Sequence, residues 1–327
     1  MIMSGINELL WDAHCCVPLL PSTLLAQLLK RHHQSGFSFV SVNIGMDMIP
    51  LDRILSVAEN FCEEIRKTDY LVLARSAQDV AQASRENRLA ISFDLEGGTP
   101  FFESEYMVEL FSRLGLRQTT LAYNRNNLLA GGCFDTDMGL TESGKKIISA
   151  MSRHGIIIDC SHMGFRSSID VMCLAKSPVI FSHSNAFAVT KSDRNIYDYQ
   201  IKACAQTGGV ICVSGLSWLL GEEQPSVDGL IRHIDYIANL VGIEHVGLGL
   251  DYIYEHQVDD IPKGVDLKYW WPRSSLQGRQ FKCSFIPPEE ISSLAAKLLR
   301  MYSKEEAKKI LGLNMLRIAE QVWTSNK

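Results

Sequence analysis

The sequence has no uninterrupted apolar run of about 18 residues, the length that a membrane-spanning helix needs. Its first ten residues lack the basic segment and following apolar stretch of a secretory signal. Blocks of like charge are also missing, although 37 acidic and 32 basic residues give a formal net charge of −5. We therefore expect no secretion signal, and neither a membrane nor a nucleic acid as a partner.

Patterns typical of disulfide frameworks are absent as well. The nine cysteines, an odd number, fall mostly within apolar strand-like or helix-like segments, and Cys133 and Cys283 have no C-x-x-C partner. Such usage suits a reducing compartment better than an oxidising one. The sequence therefore predicts a cytoplasmic protein.

Two common catalytic patterns are missing. The Ser182, His183 and Ser184 run lies outside any G-x-S-x-G elbow, which argues against a serine nucleophile. Gly97 and Gly98 are not followed by the glycines of a phosphate-binding loop. For this pair we expect a tight turn or a close approach of the backbone.

What is present is a repeating alternation of short apolar runs and helix-like segments. The chain has 327 residues, of which 46% are hydrophobic, enough for one large core. Strands are predicted at residues 9–14, 37–44, 89–95, 118–122, 155–160, 178–182, 209–214 and 245–250. Eight such strands with helices between them predict an α/β fold, a closed (β/α)₈ barrel of the TIM type that forms a single catalytic domain over residues 1–327.

Helix punctuation supports this order. A helix is predicted at 141–153, and another at 303–311, where Ser303 and Glu306 form a capping-box pattern and Gly312 is expected to stop the helix. The stretch from about 252 to 288, with Trp270 and Trp271, is predicted to be a long irregular loop. Loops of that length are usually functional, so we expect it to cover the substrate; a surface excursion packed for stability is the alternative.

Residues that bind metals or move protons recur at the carboxyl ends of the predicted strands. They are His14 and Cys16 after the first strand, Glu96 after the third, His162 after the fifth, His183 after the sixth and Asp251 after the eighth. In a (β/α)₈ barrel these ends meet at one mouth. Imidazole and carboxylate groups bind zinc, and two ions can share a carboxylate, for which Glu96 is the natural bridge.

Each of these residues has a simpler explanation when taken alone. A single His is more often a hydrogen-bonded structural residue than a ligand, and a single acid more often caps a helix or lies in a loop. Polar groups at five separate strand ends are harder to explain in this way, because burying each one would cost free energy without a common purpose. The pattern therefore favours a shared metal site.

Seven segments resemble, in order, the renal (membrane) dipeptidase family of zinc metallopeptidases, which has an amidohydrolase-like barrel. They are DAHCCVP (12–18), FDLEGG (93–98), TLAYNRNN (120–127), IDCSH (158–162), VIFSHS (179–184), RN (194–195) and GLGLD (247–251). The resemblance extends over nearly the whole chain. It implies a (β/α)₈ fold and hydrolysis of dipeptides by a metal-activated water.

The resemblance also implies roles for individual residues. Glu96 would bridge two zinc ions, with His162 and His183 on one ion and His14 on the other. Asp251 would handle the proton. Arg194 would bind the carboxylate of the substrate, a role that comes from the resemblance alone.

Two positions depart from the family pattern. The family's first motif is H-x-D, and Cys16 occupies the aspartate position. A thiolate binds zinc at roughly 2.3 Å, so Cys16 either completes the second metal position or leaves a single tightly held ion. Tyr123 stands where the best-known members have a histidine near the reacting carbonyl. Its phenol can donate a hydrogen bond to an oxyanion but carries no positive charge, which affects catalysis or substrate binding.

Other functions stay open at this point. The Cys16 and Tyr123 departures are compatible with a metal-dependent amidohydrolase or lactonase that acts on a non-peptide small molecule. A binding barrel that has lost one metal is a further alternative, for which Cys16 is the one sequence feature. The oligomeric state is also open, with a homodimer as one candidate.

Overall fold

The computed structural model describes residues 9–136, 138–254, 261–272 and 283–323. Within them the strands are β1 (Trp11–Cys16), β2 (Phe39–Met46), β3 (Leu71–Leu73), β4 (Leu89–Glu96), β5 (Leu116–Thr120), β6 (Ile157–Asp159), β7 (Ile180–Phe181), β8 (Val210–Val213), β9 (Val246–Leu248) and β10 (Tyr252–Ile253). The helices are α1 (Leu25–Gln34), α2 (Leu51–Lys67), α3 (Ala77–Arg85), α4 (Glu105–Leu114), α5 (Glu142–Arg153), α6 (Phe165–Leu174), α7 (Asp198–Gln206), α8 (Ser217–Leu220), α9 (Val227–Val241), α10 (Leu267–Trp270), α11 (Ile291–Met301), α12 (Lys304–Lys308) and α13 (Asn314–Val322).

The strands form one sheet in the order β10, β1, β2, β4, β5, β6, β7, β8, β9, and β3 pairs with β4 beside this path. Each pair of hydrogen-bonded strands described here runs parallel. The segment containing β9 and β10 closes the sheet, because the Gly249 N–H donates to the Val213 carbonyl at 3.2 Å and the Asp251 N–H donates to the His14 carbonyl at 3.1 Å. The predicted (β/α)₈ TIM-type barrel is confirmed.

The amino end of the barrel is filled by large side chains and covered by α13. Trp11 of β1 stacks on Phe39 of β2 with ring centroids 3.8 Å apart, and the Trp323 ring lies 5.6 Å from Trp11. Met315 and Ile318 of α13 belong to the same buried cluster. Since this end is packed with apolar groups, the opposite, carboxyl end is the one available for a site.

All eight predicted strands have a counterpart, but three are displaced by two residues. The structure places β1, β2 and β5 at Trp11–Cys16, Phe39–Met46 and Leu116–Thr120 instead of 9–14, 37–44 and 118–122. Apolar runs report burial, whereas strand ends are set by hydrogen bonds to neighbouring strands, and the two do not coincide. The short strands β3 and β10 were not predicted.

The helix predictions are confirmed at α5 and at the start of α12. Thr141 caps α5 by accepting a hydrogen bond from the Gly144 N–H at 3.0 Å, and Ser303 and Glu306 form the predicted capping box. The predicted stop at Gly312 is confirmed, because Gly312 has a non-helical backbone, with φ 180° and ψ −28°, that separates the preceding helix from α13. The role of Gly312 is a close approach: a Cβ there would lie 2.3 Å from the Leu9 carbonyl oxygen.

The predicted loop at 252–288 begins with a strand rather than with irregular chain, because β10 pairs with β1. It also contains the short helix α10, whose first turn is capped by Asp266 accepting from the Lys268 N–H at 2.9 Å. Residues 255–260 and 273–282 of the predicted loop lie outside the described residues. In the described part of the chain, no helix combines the length and the apolarity needed to cross a bilayer.

Candidate metal centre and substrate cavity

The five polar residues predicted at the strand ends come together at the carboxyl end of the barrel. One oxygen of Glu96 lies 2.8 Å from His162 Nε2, 3.5 Å from His183 Nε2 and 3.6 Å from His14 Nε2. Asp251 Oδ1 lies 3.9 Å from His14 Nε2. Glu96 thus stands at the centre of the cluster, between two groups of donor atoms.

Cys16 belongs to the same cluster. It lies two residues after His14 on β1, so both side chains point to one face of the sheet, and its Sγ is 3.4 Å from His14 Nε2. Three sets of potential ligands result: His14 with Cys16 and Glu96, Glu96 with His162 and His183, and His14 with His183 and Asp251. Burial raises the pKa of the Cys16 thiol to about 12.

His14 is oriented from behind by a second carboxylate. Its Nδ1 lies 3.2 Å from Asp94 Oδ1, at an angle outside that of a hydrogen bond, so this buried atom has no hydrogen-bond partner among the described residues. Asp94 itself accepts from Ser41 Oγ at 2.6 Å and from Asn43 Nδ2 at 3.2 Å. Burial alone lowers the pKa of His14, but the charges of Asp94, Cys16 and Glu96 outweigh it and raise that pKa well above its ordinary value.

The tautomer of His162 follows from its neighbour Asn124. The Asn124 amide nitrogen donates to the Trp270 carbonyl at 3.0 Å, so its oxygen faces His162 Nδ1 at 2.7 Å. That oxygen can only accept, which places a proton on Nδ1 of His162. Nε2 of His162 therefore presents a lone pair to the cluster.

His183 is held in the same way by Ser182. The Ser182 hydroxyl donates to Asp159 and therefore accepts the Nδ1 proton of His183 at 2.7 Å. The lone pair of His183 Nε2 then faces that of His162 Nε2 at a separation of 2.7 Å. Two facing lone pairs repel unless a cation lies close to both, so the donor set fits a bound metal ion.

Burial shapes the charge state of the cluster. It is the main reason why the pKa of Glu96 rises to about 8 and that of Asp251 to about 6. Burial also lowers the pKa of His162 and His183, and the positive charges of Arg194 and His14 act in the same direction. Each of these shifts disfavours the charged form of the group, because burial removes the water that would solvate the charge.

Three residues around the cluster have a left-handed backbone, a conformation that is uncommon outside glycine. The φ angles are 59° at Asn124, 66° at His162 and 56° at Asp251. Gly132 packs directly against the first of these, since a Cβ on it would lie 2.2 Å from the Asn124 carbonyl carbon. Strain of this kind is retained where the surroundings fix a side chain for function.

Tyr123 lies beside His162, with ring centroids 4.3 Å apart. Its hydroxyl oxygen accepts a hydrogen bond from Trp271 Nε1 at 3.0 Å. The phenolic proton is therefore left to be donated to another group. The backbone of Tyr123 is fixed by Asp47, which accepts from its N–H at 3.0 Å. Burial, reinforced by the Glu96 charge, raises the pKa of Tyr123 well above its ordinary value.

A cavity of about 440 Å³ opens in front of the cluster. Cys16, Glu96, His162 and Asp251 contribute to its wall, as do Tyr123, Arg194 and a series of apolar side chains. Arg194 is half-buried and also lines a neighbouring, more polar cavity of about 220 Å³. All residues predicted from the sequence for metal, proton or substrate contacts therefore border one space or lie directly behind it.

A segment at 261–272 covers part of this cavity and is anchored by consecutive residues after β5. Besides the Tyr123 and Asn124 contacts, Arg125 Nε donates to the Tyr269 carbonyl at 2.6 Å, and its guanidinium lies 4.4 Å from the centroid of the Tyr269 ring. Trp271 lines the cavity. We call residues 261–272 the covering segment.

A family model described as membrane dipeptidase (peptidase family M19) matches residues 29–267, most of the chain. The chain belongs to this family. Among named members, dipeptidase tcpJ of Claviceps purpurea is 30% identical over 260 residues, which are 78% of this chain and 56% of that protein. This chain therefore spans little more than half the length of that relative.

Solved structures show the same fold. An amidohydrolase from Pseudomonas aeruginosa superposes with a TM-score of 0.86 at 23% identity, covering 97% of both chains. A metallo peptidase from Rhodobacter sphaeroides, liganded with a phosphinate mimic of the dipeptide L-Ala-D-Ala, gives a TM-score of 0.77 at 20% identity over 97% of this chain and 99% of that chain. The family resemblance noted in the sequence is confirmed.

Several residues that support the site in this family member were missed by the sequence analysis. Asp94 and Asp159 carried a signal, because each is an acidic residue that directly follows apolar strand residues. Asp94 also lies two residues before Glu96 and so on the same strand face. Asn124 and Ser182 carried none, because a polar residue next to a strand end is common and only the fold shows which imidazole it contacts.

Proposed function

We propose that this chain is a zinc-dependent dipeptidase that hydrolyses the amide bond of a dipeptide with a metal-activated water. The observation that carries the proposal is the pair of imidazole lone pairs, from His162 and His183, that face each other beside the Glu96 carboxylate. Membership of the membrane dipeptidase family and the dipeptide mimic bound by the Rhodobacter structure support the substrate class.

We propose two zinc ions, with Glu96 as their shared ligand. His162 and His183 would hold one ion, and His14 with Cys16 the other, a mixture of nitrogen, sulfur and oxygen donors that suits zinc. When bound, the ions supply positive charge that lowers the pKa of a water to about 7 and polarises the scissile carbonyl. One ion instead of two is expected if Cys16 does not bind.

Asp251 is the proposed proton carrier. Its carboxylate faces the cluster at 3.9 Å from His14 Nε2 and is held from behind by Ser214 Oγ at 3.4 Å. This position, on the wall of the cavity, lets it accept a proton from the attacking water and pass it to the leaving amine. Its backbone is left-handed, which is uncommon for a non-glycine residue and is found most often at functional sites.

Arg194 and Tyr123 are the proposed substrate-binding groups. The planar guanidinium of Arg194 suits the free carboxylate of a dipeptide, and a longer peptide has no carboxylate at that point. Tyr123 would donate its hydroxyl proton to the oxygen of the reacting carbonyl, since its own oxygen already accepts from Trp271. Both residues line the cavity in front of the metal ligands.

We further propose that residues 1–327 act as one catalytic domain and that the protein works in the cytoplasm. The compartment is supported by the nine cysteines, all of which are free thiols. The oligomeric state is open, and a homodimer is one candidate. A small molecule, the dipeptide, is the partner that the site itself requires.

Elemental analysis combined with a dipeptide panel tests the proposal. Protein reconstituted with zinc is expected to bind two ions per chain and to hydrolyse dipeptides, while a Cys16→Ala variant is expected to keep one ion. A Cys16→Asp variant, which restores a carboxylate at this position, should again bind two. Turnover of no dipeptide by metal-loaded protein would reject the proposed activity.

A further inference from the structure

The wall of the cavity is mostly apolar close to the metal ligands. Val17 follows Cys16 directly, Met46 pairs with Glu96 in the sheet, and Ile253 comes two residues after Asp251. These apolar side chains therefore begin where the reacting bond would lie. A substrate group attached next to that bond would contact them.

The apolar wall continues on separate elements around the cavity. Leu19 comes from the chain after β1, Leu216 from the chain after β8, and Trp271 from the covering segment. Leu19 is buried, while the other two are half-buried and open to the cavity. Because three distant parts of the chain supply apolar groups, the surface is a pocket rather than a single exposed side chain.

Charged groups in the described wall are confined to the metal centre and Arg194. In the proposed mechanism Glu96 binds the metal ions, Asp251 carries the proton and Arg194 binds the substrate carboxylate. A charged side chain of the substrate placed against this described wall would therefore lose its hydration without gaining a partner from it. An apolar side chain would instead leave water for an apolar surface, which is favourable.

We propose that the site selects dipeptides with large apolar side chains, such as leucine, phenylalanine or methionine, over dipeptides with charged or absent side chains. The inference rests on the proposed dipeptidase function and names the substrate class of the same site. The cavity volume of about 440 Å³ agrees with it, because a dipeptide without side chains would leave much of the apolar wall in contact with water.

A comparison of Leu-Leu, Gly-Gly, Glu-Leu and Lys-Leu by kcat/KM tests the selectivity. We expect Leu-Leu to exceed Gly-Gly by about 10- to 200-fold, the range that one or two apolar contacts supply, and to exceed both charged substrates by at least as much. Values for the four substrates that agree within about threefold would overturn the inference while leaving the dipeptidase proposal standing. No turnover of any of them by metal-loaded enzyme would overturn both.

A matched pair of variants assigns the effect to the apolar wall. Leu216→Asn keeps the approximate side-chain size but adds a polar group, so kcat/KM for Leu-Leu should fall about tenfold, with Gly-Gly changed less than about twofold. Leu299→Asn, on the outer helix α11, is the control and should change neither value. An equal fall for both substrates in Leu216→Asn contradicts the inference. Ile253→Thr, which keeps the branched shape, gives the same test if Leu216→Asn does not fold.

Discussion

Asn124 is the residue on which one half of the proposed metal centre depends. A single side-chain amide, held on a left-handed backbone, accepts from His162 Nδ1 and donates to the Trp270 carbonyl. It therefore sets the tautomer of an imidazole and at the same time anchors the covering segment. The orientation of His162 and the position of the cavity wall are coupled through one amide group.

Replacing Asn124 should weaken metal binding without removing a ligand. Asn124→Ala is expected to reduce zinc affinity about 10- to 100-fold, because the His162 tautomer and ring orientation are no longer fixed. Asn124→Asp keeps an oxygen acceptor for His162 and should reduce the affinity less. Competition with a chromogenic chelator measures both values.

Asn87→Ala is the matched control, since Asn87 also has a left-handed backbone, with φ 54°, but lies outside the site. It separates the effect of backbone strain from that of the lost amide. Unchanged zinc affinity in Asn124→Ala would show that the amide does not position His162.

Tyr123→Phe should reduce kcat with little effect on the zinc content. Loss of one hydrogen-bond donor to a developing oxyanion typically lowers kcat about 10²- to 10³-fold. Trp271→Phe keeps an aromatic ring but removes the N–H that orients the phenol, so a smaller decrease in kcat is expected. Steady-state kinetics on Leu-Leu provides the measurement, and Tyr106→Phe, at an exposed tyrosine, is the control. If Tyr123→Phe retained full kcat, Tyr123 would have no part in the chemical step.

At the scale of elements, a bulge in β1 separates the site from the core. Trp11 and Ala13 belong to the buried cluster at the amino end of the barrel, whereas Asp12 lies 3.1 Å from His32 of α1. The pairing with β2 shifts register between Asp12 and Cys15, so that His14 and Cys16 reach the candidate metal centre while Cys15 packs in the main core. Asp12 closes the barrel by accepting from the Leu250 N–H at 2.8 Å. One short strand thus contributes to barrel closure, to the proposed ligands and to the core.

The helix α9 carries a buried imidazole that serves stability rather than the site. His233 Nδ1 accepts from the Ala186 N–H at 3.2 Å, and its Nε2 lies 3.4 Å from Thr190 Oγ1, which donates to the Leu220 carbonyl. Both contacts require the neutral ring with its proton on Nε2. Burial accordingly lowers the pKa of His233 to about 4.

His233 should make the fold sensitive to acid. In the unfolded chain the pKa of His233 is about 6.5, so the unfolded state binds a proton below that pH. The folded state binds this proton only when the pH falls to about 4. The stabilisation is complete above pH 6.5 and is lost as the pH falls towards 4. Between pH 7 and pH 5 we expect a loss of about 2 kcal/mol from this residue.

Denaturant unfolding of the chelator-treated protein at both pH values measures the loss, and metal release then plays no part. A His233→Gln variant, which cannot titrate, should show a pH dependence that is smaller by about the same 2 kcal/mol. Equal pH dependence in the two proteins would mean that His233 does not titrate differently on folding.

At the scale of the whole molecule, one end of the barrel is packed with apolar side chains and the other carries the candidate metal centre. The amino end is filled by Trp11 and Phe39 and covered by α13, while the carboxyl end collects donor groups whose lone pairs and buried carboxylates face one another. The stability of the molecule is therefore expected to depend on whether metal ions are bound at the carboxyl end.

Metal removal should lower the melting temperature. Zinc bound by the folded chain only, at about 1,000 times its Kd, stabilises the fold by about 4 kcal/mol. Chelation is expected to abolish this gain, and zinc added back should restore it, as followed by thermal unfolding. His183→Ala, which lacks one proposed ligand, should show a smaller difference between the two conditions. A melting temperature unaffected by verified metal removal would mean that the ions do not bind this cluster tightly.

The primary structure alone determined the barrel class, the chain order of its eight strands and the five polar strand ends. These follow from local properties: apolar runs of strand length, helices between them, and donor residues such as Glu96 and His162 at the ends of five of the eight runs. The same reasoning predicted the helix stop at Gly312 but not the close approach of the Leu9 backbone, far away in the sequence, that leaves no room for a Cβ there.

Only the tertiary structure decided how these residues work together. Asn124 meets His162 across 38 positions, and Trp271 meets Tyr123 across 148. These contacts depend on barrel closure and on the path of the covering segment. Neither can be predicted from a local sequence pattern. Side-chain type and strand order are written in the sequence; the tautomer of an imidazole and the direction of a phenolic proton depend on which distant atoms the fold brings within hydrogen-bond distance.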